Sequence, residues 1–505
     1  MSNRDREVEQ LTSQVSKLMK HCRQLEDELR QMRASYITDI ANLKEAHRVE
    51  VEGLKARITE LEQENTLLKN DNERLKSNAR NNSKNSSLPP SSDQKAGKKA
   101  NEYNGREKSG KKPGGQEGHK GRTLSREYVE EKIREGKFQH KVVDIGDESA
   151  NYIVRYVLDV KVVPVVTEIR IHANADGKYE VPEGYKSGVT YGDNIKAIAV
   201  DLYGEGVVSH DRIAAFIASL TNGEIPLSVG SIYNFCREMA WKGEGSIAQI
   251  KEELLNERVI YTDATTIMVN GTQEYIRNQS THGAVLYSPV EKKNIEALKS
   301  TGILGKYSGI TVNDHETALY HVGTDTGECN AHLLRYGRKN TEETGNSWSE
   351  KLSKHLCDVN GKKKELILKG IHAFSEEYLA EISRKYDEII MKGKEENSRT
   401  SGVQAQKEEK ALLNRLVRYK HNHLLFAYDF DVEFTNNMSE RDLRKCKNRQ
   451  KMSGGFRKKS GKAIYCDILS LIETCKRKSI PVFDSIRQIF AGNPNIFQNT
   501  SPSPA

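Results

Sequence analysis

Cysteine is sparse in this 505-residue sequence: there are seven, none in a Cys-x-x-Cys pair and none between Cys22 and Cys236. That distribution excludes a disulfide framework and a zinc ribbon. No run approaches the roughly 18 apolar residues of a membrane helix, and Met1 to Glu7 lack the apolar core of a signal peptide, so the expectation is a cytoplasmic protein with no membrane partner. Helix breakers are missing over long stretches. Residues 1–96 hold only Gly53 and the pair Pro89 and Pro90, and no proline falls between Pro289 and Pro481. Neither charge sign dominates either: 79 Lys and Arg face 71 Asp and Glu. A net charge of +8 on so long a chain matters less than where the cations sit.

They sit in two runs. Between Lys76 and Arg122, including Lys111, Lys112 and Lys120, twelve cations face four acids. Between Arg441 and Lys462, the cations Arg441, Arg444, Lys445, Lys447, Arg449, Lys451, Arg457, Lys458, Lys459 and Lys462 face Asp442 alone. Clustered cations release counterions from a nucleic-acid backbone, so both runs predict DNA or RNA contact, against the plainer alternative of solvated faces.

The length predicts roughly three or four units. Residues 5–78 read as a coiled coil. Leu11, Leu18, Leu25 and Met32 recur every seven residues, as do Leu54, Leu61, Leu68 and Leu75, with a change of phase near Ile37 to Leu43. Asn65 and Asn72 at the alternate core positions favour a parallel homodimer, with higher oligomers also open. Residues 79–123, rich in Asn, Ser, Gly, Pro and Lys, read as a basic linker. Residues 124–190 carry β-like runs and predict a small β-rich module; residues 191–256 predict helices capped by Ser209 and Ser228. The two could form a helix-turn-helix offering Arg237 to DNA, or a plain helical pair, because Thr221 to Leu227 is long for a tight turn. Residues 257–480 predict an α/β domain with an Asn270-Gly271 hairpin and a helical insertion at about 343–425, and residues 481–505 a tail.

Asp263 and Asp314 each end an apolar strand in this reading, so adjacent strands would bring both carboxylates to one edge. Alone, each could equally start a turn or cap a helix. Glu440 begins a helix that seven residues later carries Lys447 on nearly the same face, pairing a metal-binding carboxylate with a phosphate-binding ammonium. Three acids from separate elements are what divalent cations need for phosphoryl transfer.

Asn436, Asn437, Glu440, Arg441, Leu443 and Arg444, followed by Lys447, the Ser453 to Arg457 stretch and Ser470 to Thr474, resemble the catalytic block of transposases of the insertion-sequence-66 family. The resemblance extends from residue 5 to about 480, through the zipper, Asn81 to Asp93 and Gly114 to Gly121. It implies an RNase H-like catalytic domain with Asp263, Asp314 and Glu440 holding two Mg²⁺ or Mn²⁺ ions, cleavage at transposon ends, and transfer of the 3′-OH into target DNA. It also implies a prokaryotic, nucleoid-associated protein and, for some relatives, small accessory proteins. Asp325 is the nearest alternative to Asp314. Cys329 and His332 match a family Cys-x-x-His pair; two ligands make at most half a zinc site, so a structural role beside the catalytic centre is favoured. Trp348 is expected to pack rather than to stack on a base. Two departures stand out: Asp263 is followed by Ala264 where the family commonly has Glu, and the cysteine-rich segment of many relatives is missing. The rival readings are an inactive DNA-binding repressor and a coiled-coil nucleic-acid scaffold.

Overall fold

The computed structural model describes residues 3–80, 124–145, 151 and 153–497. These fall into two units, one containing the N-terminal helix together with residues 400–408 and one containing the rest. The first is dominated by α1 (Asn3–Arg80), a single 78-residue helix. Its backbone passes through Ile37 to Leu43 without a break, so the phase change expected there lies in the side-chain pattern alone. The zipper leucines are all exposed, among them Leu18, Leu25, Leu61 and Leu68. Residues 81–123 of the expected basic linker lie outside the described residues, and with them Lys111, Lys112 and Lys120.

The second unit begins with α2 (Arg126–Arg134), capped by Ser125. Four helices follow: α3 (Asp193–Gly204), α4 (His210–Leu220), α5 (Val229–Lys242) and α6 (Glu244–Asn256). Then come β1 (Val259–Val269), β2 (Thr272–Ser280), β3 (Val285–Val290), α7 (Ile295–Ser300), β4 (Ile310–Asn313) and β5 (Asp325–Glu328). The helical insertion is α8 (Asn330–Thr344), α9 (Trp348–Leu368), α10 (Glu376–Asn397), α11 (Val403–Arg418) and α12 (Lys420–Tyr428). The unit closes with α13 (Asn437–Asp442), α14 (Arg444–Ser453), α15 (Lys459–Arg477) and α16 (Val482–Phe490).

The five strands form one sheet in the order β3-β2-β1-β4-β5, antiparallel from β1 to β3 and parallel from β1 to β5. Asn270 and Gly271, both at positive φ, make the tight β1–β2 turn that this dipeptide predicts. Helix α15 runs along the open edge of β3. Its Ser470 hydroxyl accepts from the Tyr287 amide at 2.8 Å, and Thr474 accepts from the Val285 amide at 3.1 Å, so edge groups that would otherwise be free are satisfied by a helix.

Three expectations are corrected. No strand occurs among the described residues of 124–190; there is one isolated bridge, Ala173 with Tyr179, and valines such as Val157 and Val166 are over 90% exposed. β-branched residues make a sheet only where a partner strand or a second layer covers them, and none among the described residues does so here. Residues 191–256 are not separate from the α/β domain: Ile232, Phe235 and Met239 of α5 share one core with Ile260, Ile276, Leu469 and Ile472. The expected tail contains α16, whose Ile486, Ile489 and Phe490 enter the same core. A second core, on the insertion side, gathers Trp348, Leu352, Leu356, Ile382, Tyr386 and Leu416 with Val259 and Val312 of the sheet.

Candidate active site

Asp263 lies within β1 rather than at its end, because β2 pairs with β1 all the way to Val269. On the other side β4 stops early. Tyr261 is registered with Val312, so two residues further along both parallel strands Asp263 and Asp314 stand side by side, where β4 gives way to its loop. This register brings the two carboxylates together. Burial and the Asp314 charge lift the Asp263 pKa to about 6, opposed by the Ala264 amide, which donates to its Oδ1 at 2.6 Å, and by the charges of Lys293 and Lys447. Asn278 of β2 fixes the backbone there, accepting from the Asp263 amide at 2.9 Å.

Glu440 arrives on α13, and four ties hold that short helix. Buried Asn436 donates its side-chain amide to the Thr262 carbonyl at 3.0 Å, while its backbone amide donates to the Cys329 sulfur at 3.1 Å. At the far end Asp442 accepts from Ser280 at 2.6 Å and from Arg477 at 2.6 Å. The continuous helix expected from Glu440 to Lys447 is interrupted at Leu443, where α13 ends and α14 begins.

His332 joins the second and third acids. Its Nδ1 lies 3.3 Å from Asp314 Oδ1, and its Nε2 lies 3.7 Å from Glu440 Oε1. Burial disfavours the imidazolium, but the adjoining Asp314 carboxylate and Cys329 raise the His332 pKa to about 11. Arg335, one turn along α8, comes within 3.7 Å of the same Glu440 oxygen. Cys329 and His332, expected to be structural, therefore touch the site, and Asp314 adds a third donor within 4.8 Å of both. The contact between Asp314 Oδ1 and His332 is one of charge without hydrogen-bond alignment: that oxygen is buried and accepts no hydrogen bond among the described residues. A buried carboxylate oxygen with a free lone pair, beside a second carboxylate that resists ionisation, fits a bound cation.

The loop after β4 is held residue by residue. His315, at φ +62°, occupies a conformation that non-glycine residues rarely adopt. Its Nδ1 meets Glu328 Oε1 at 2.8 Å, and its ring stands edge-on to Tyr419, centroids 5.0 Å apart. Glu328 is buried and also takes Tyr320, Arg415 at 2.6 Å and His423 at 3.1 Å. Burial alone would raise its pKa; hydrogen bonds from His315 and His423 and the Arg415 charge hold it far below the usual carboxylate range. Next along the loop, Glu316 pairs with buried Arg277 of β2, and its amide donates to Asn313 at 2.8 Å.

The remaining expected residues separate into two groups. Arg441, Arg444, Lys447 and Lys451 are exposed at helical spacing on α13 and α14, and Arg237 and Arg457 are exposed elsewhere. Arg449 is a correction: it is 7% exposed and lies over the rings of Tyr203, Phe456 and Tyr465, with its centre 4.6 Å from the first. Aromatic faces have taken its charge, so it is part of the core. Lys445 and Lys462 are likewise committed, to Glu205 and Glu473 and to Glu274. Asp325 is excluded as a stand-in for Asp314, since it begins β5 opposite Ile310, at the other end of β4, and pairs with His421 at 2.6 Å. Trp348 is fully buried and donates to Glu409 at 2.6 Å, as its packing role required.

Replacing Asp263 with Asn removes a carboxylate that the fold keeps from ionising. A pKa raised from 3.8 to about 6 lowers the stability of the metal-free protein as pH rises between those values, with the full penalty above pH 6. Asp263→Asn is therefore expected to stabilise the metal-free protein by about 2–3 kcal/mol at pH 7.5 and by almost nothing below pH 4, read by denaturant unfolding at both pH values. Equal stability of the two proteins at pH 7.5 would refute the raised pKa of Asp263 and the burial that causes it.

Residues 188–463, more than half of the chain, match the IS66 transposase family, and the chain belongs to that family. The match starts just before α3, so the helices expected as a separate DNA-binding region fall within the family domain. Residues 37–125 match a second family, of unknown function. No curated protein matches the chain. No helix among the described residues is long and apolar enough to cross a membrane.

Proposed function

We propose that this chain is a DNA transposase whose Asp263, Asp314 and Glu440 form a metal-dependent centre that cleaves at transposon ends and passes the freed 3′-OH to target DNA. The observation that carries the reading is the Asp263–Asp314 pairing: two carboxylates in register along adjacent parallel strands, one with a raised pKa and the other with a buried oxygen that accepts no hydrogen bond among the described residues. The strand order β3-β2-β1-β4-β5, with three antiparallel and three parallel members sharing β1, supports an RNase H-like domain. Mg²⁺ or Mn²⁺, as two ions, would activate the attacking oxygen and stabilise the leaving one. Asp263 from within β1 and Asp314 from the residue just past β4 present their oxygens side by side. Glu440 faces them from α13, and His332 spaces Asp314 from Glu440 while balancing their charge. Lys447 and the exposed arginines of α13 and α14 hold the DNA phosphates. Incubation of the purified protein with end-containing DNA and a target plasmid in Mg²⁺ should yield covalently joined products; DNA binding with no cleaved or joined product would favour the repressor reading.

The exposed leucines of α1 support a homodimer or higher oligomer through a coiled coil. Leu61→Asp with Leu68→Asp is expected to halve the mass seen by sedimentation equilibrium if the assembly is a dimer. An unchanged mass would assign the oligomer to another surface.

A further inference from the structure

Five cations line a groove distinct from the acidic trio. The groove, of about 730 Å³, is walled by the β1–β2 hairpin from Val269 to Tyr275, by Glu291 to Lys293 after β3, and by Arg457 to Lys459 before α15. Its acids are already neutralised: Glu274 pairs with Lys462, and Glu291 with Lys459. Lys292, Lys293, Arg457 and Lys458 have no ion-pair partner among the described residues, so the groove carries an uncompensated positive charge that is not screened from within.

The groove is also a built feature. Phe456 continues the sheet past the hairpin, donating its amide to the Met268 carbonyl at 2.8 Å and accepting from the Asn270 amide at 2.8 Å. This docking needs Gly455: at φ +119° only glycine is comfortable, and a Cβ there would come within 2.1 Å of the Met268 oxygen. The Ser453 to Arg457 stretch, which no catalytic step above uses, thus serves to fix Arg457 and Lys458 against the hairpin. On the opposite wall Lys293 lies over the Tyr275 ring, 5.5 Å from its centroid, and the Tyr275 hydroxyl accepts from Gln273 at 3.1 Å. The Lys293 charge also reaches Asp263, which ties the groove to the catalytic end of the sheet.

We propose that this groove is a second binding site for the phosphodiester backbone of DNA, which holds the nucleic acid beyond the segment at the acidic trio. It rests on the transposase reading for the identity of the polyanion. Phosphates bind Lys292, Arg457 and Lys458 by charge-assisted hydrogen bonds, and the hairpin tip sets the direction of the strand.

The test compares the full-length protein, the triple variant Lys292→Ala, Arg457→Ala, Lys458→Ala, and a control, Lys364→Ala, Lys369→Ala, Lys385→Ala, that removes the same charge from exposed positions of the insertion. Binding to a fluorescent end-containing duplex is measured by anisotropy from 50 to 200 mM salt. The groove variant is expected to bind at least about tenfold more weakly, with a salt slope lower by about 2 to 3, since each lost phosphate contact removes about 0.9. The control is expected to stay within about twofold of wild type. Equal loss in both variants, or no loss in the groove variant, overturns the proposal. Circular dichroism confirms that each variant is folded, and Gly455→Ala, which displaces Arg457 without removing charge, should weaken binding in the same direction. If wild type binds and cleaves while the groove variant matches it, the groove fails and the transposase reading stands. If wild type binds with groove-dependent salt slope and does not cleave, the reverse holds.

Discussion

Glu440→Gln is expected to lower end cleavage in Mg²⁺ by at least about a thousandfold, which is about 4 kcal/mol of lost transition-state stabilisation. The substitution keeps shape and hydrogen-bonding reach but removes the charge that a divalent ion requires. Glu440 is partly exposed, and its contacts to His332 and Arg335 are both 3.7 Å, too long to hold the fold. Stability should therefore stay within about 0.5 kcal/mol of wild type, and DNA binding, carried by Lys447 and its neighbours, within about twofold. The two readouts separate a chemical role from a structural one. Normal cleavage by Glu440→Gln would remove α13 from the centre, and cleavage and stability lost together would make Glu440 a structural residue.

Glu328→Leu should have the largest effect on stability, about 3–5 kcal/mol, because it leaves partly buried Arg415 without its counter-charge and His423 without its hydrogen-bond partner. The loss should extend to catalysis. Glu328 is the anchor that holds His315 in its strained conformation, and His315 is bonded directly to Asp314 in the chain. Once freed, His315 relaxes toward an ordinary φ and carries the Asp314 carboxylate out of register with Asp263. Glu328→Gln retains the shape and two acceptor contacts, and should restore part of both losses. Urea unfolding with cleavage rates on the same preparations makes the check; a stability change under about 1 kcal/mol for Glu328→Leu would mean that the network is not the anchor described.

Much of this site is written locally. The Asn270-Gly271 turn appears where its chemistry predicts, and Asp314 stands one residue past the strand it was expected to end, while the helix expected from Glu440 to Lys447 breaks at Leu443. The long N-terminal helix α1 is legible from unbroken seven-residue spacing in the same way. What escaped depended on partners distant in sequence. Glu328 reads as one acid among many until β5 pairs with β4 and brings α11 and α12 over it. Arg277 gives no sign that it is buried, since its burial depends on Glu316. Arg449 reads like its exposed neighbours because the run of cations has no marker for which side turns inward; only the aromatic rings of Tyr203, Phe456 and Tyr465 decide it. Asp442 did carry a signal, as the single acid within a basic run, and it proves to be the residue that fastens α13 to β2 and α15.

The valine-rich stretch after residue 152 shows the opposite error. Its composition has the β-propensity of a strand, but propensity expresses how a side chain fits a half-buried sheet surface, and among the described residues no such surface lies beside it. The α/β domain boundaries were misjudged for a related reason: α3 to α6 and α16 are amphipathic helices whose apolar faces find one another and the sheet across more than 200 residues, a pairing that helical periodicity alone does not specify.

Mn²⁺ binding, followed by electron paramagnetic resonance on the purified full-length chain, tests most directly whether Asp263, Asp314 and Glu440 form a metal centre. Wild type is expected to take up two ions, and the combined Asp263→Asn, Asp314→Asn, Glu440→Gln variant none with comparable affinity. Undiminished Mn²⁺ uptake by a folded triple variant would contradict the assignment of these three acids as the metal-binding centre.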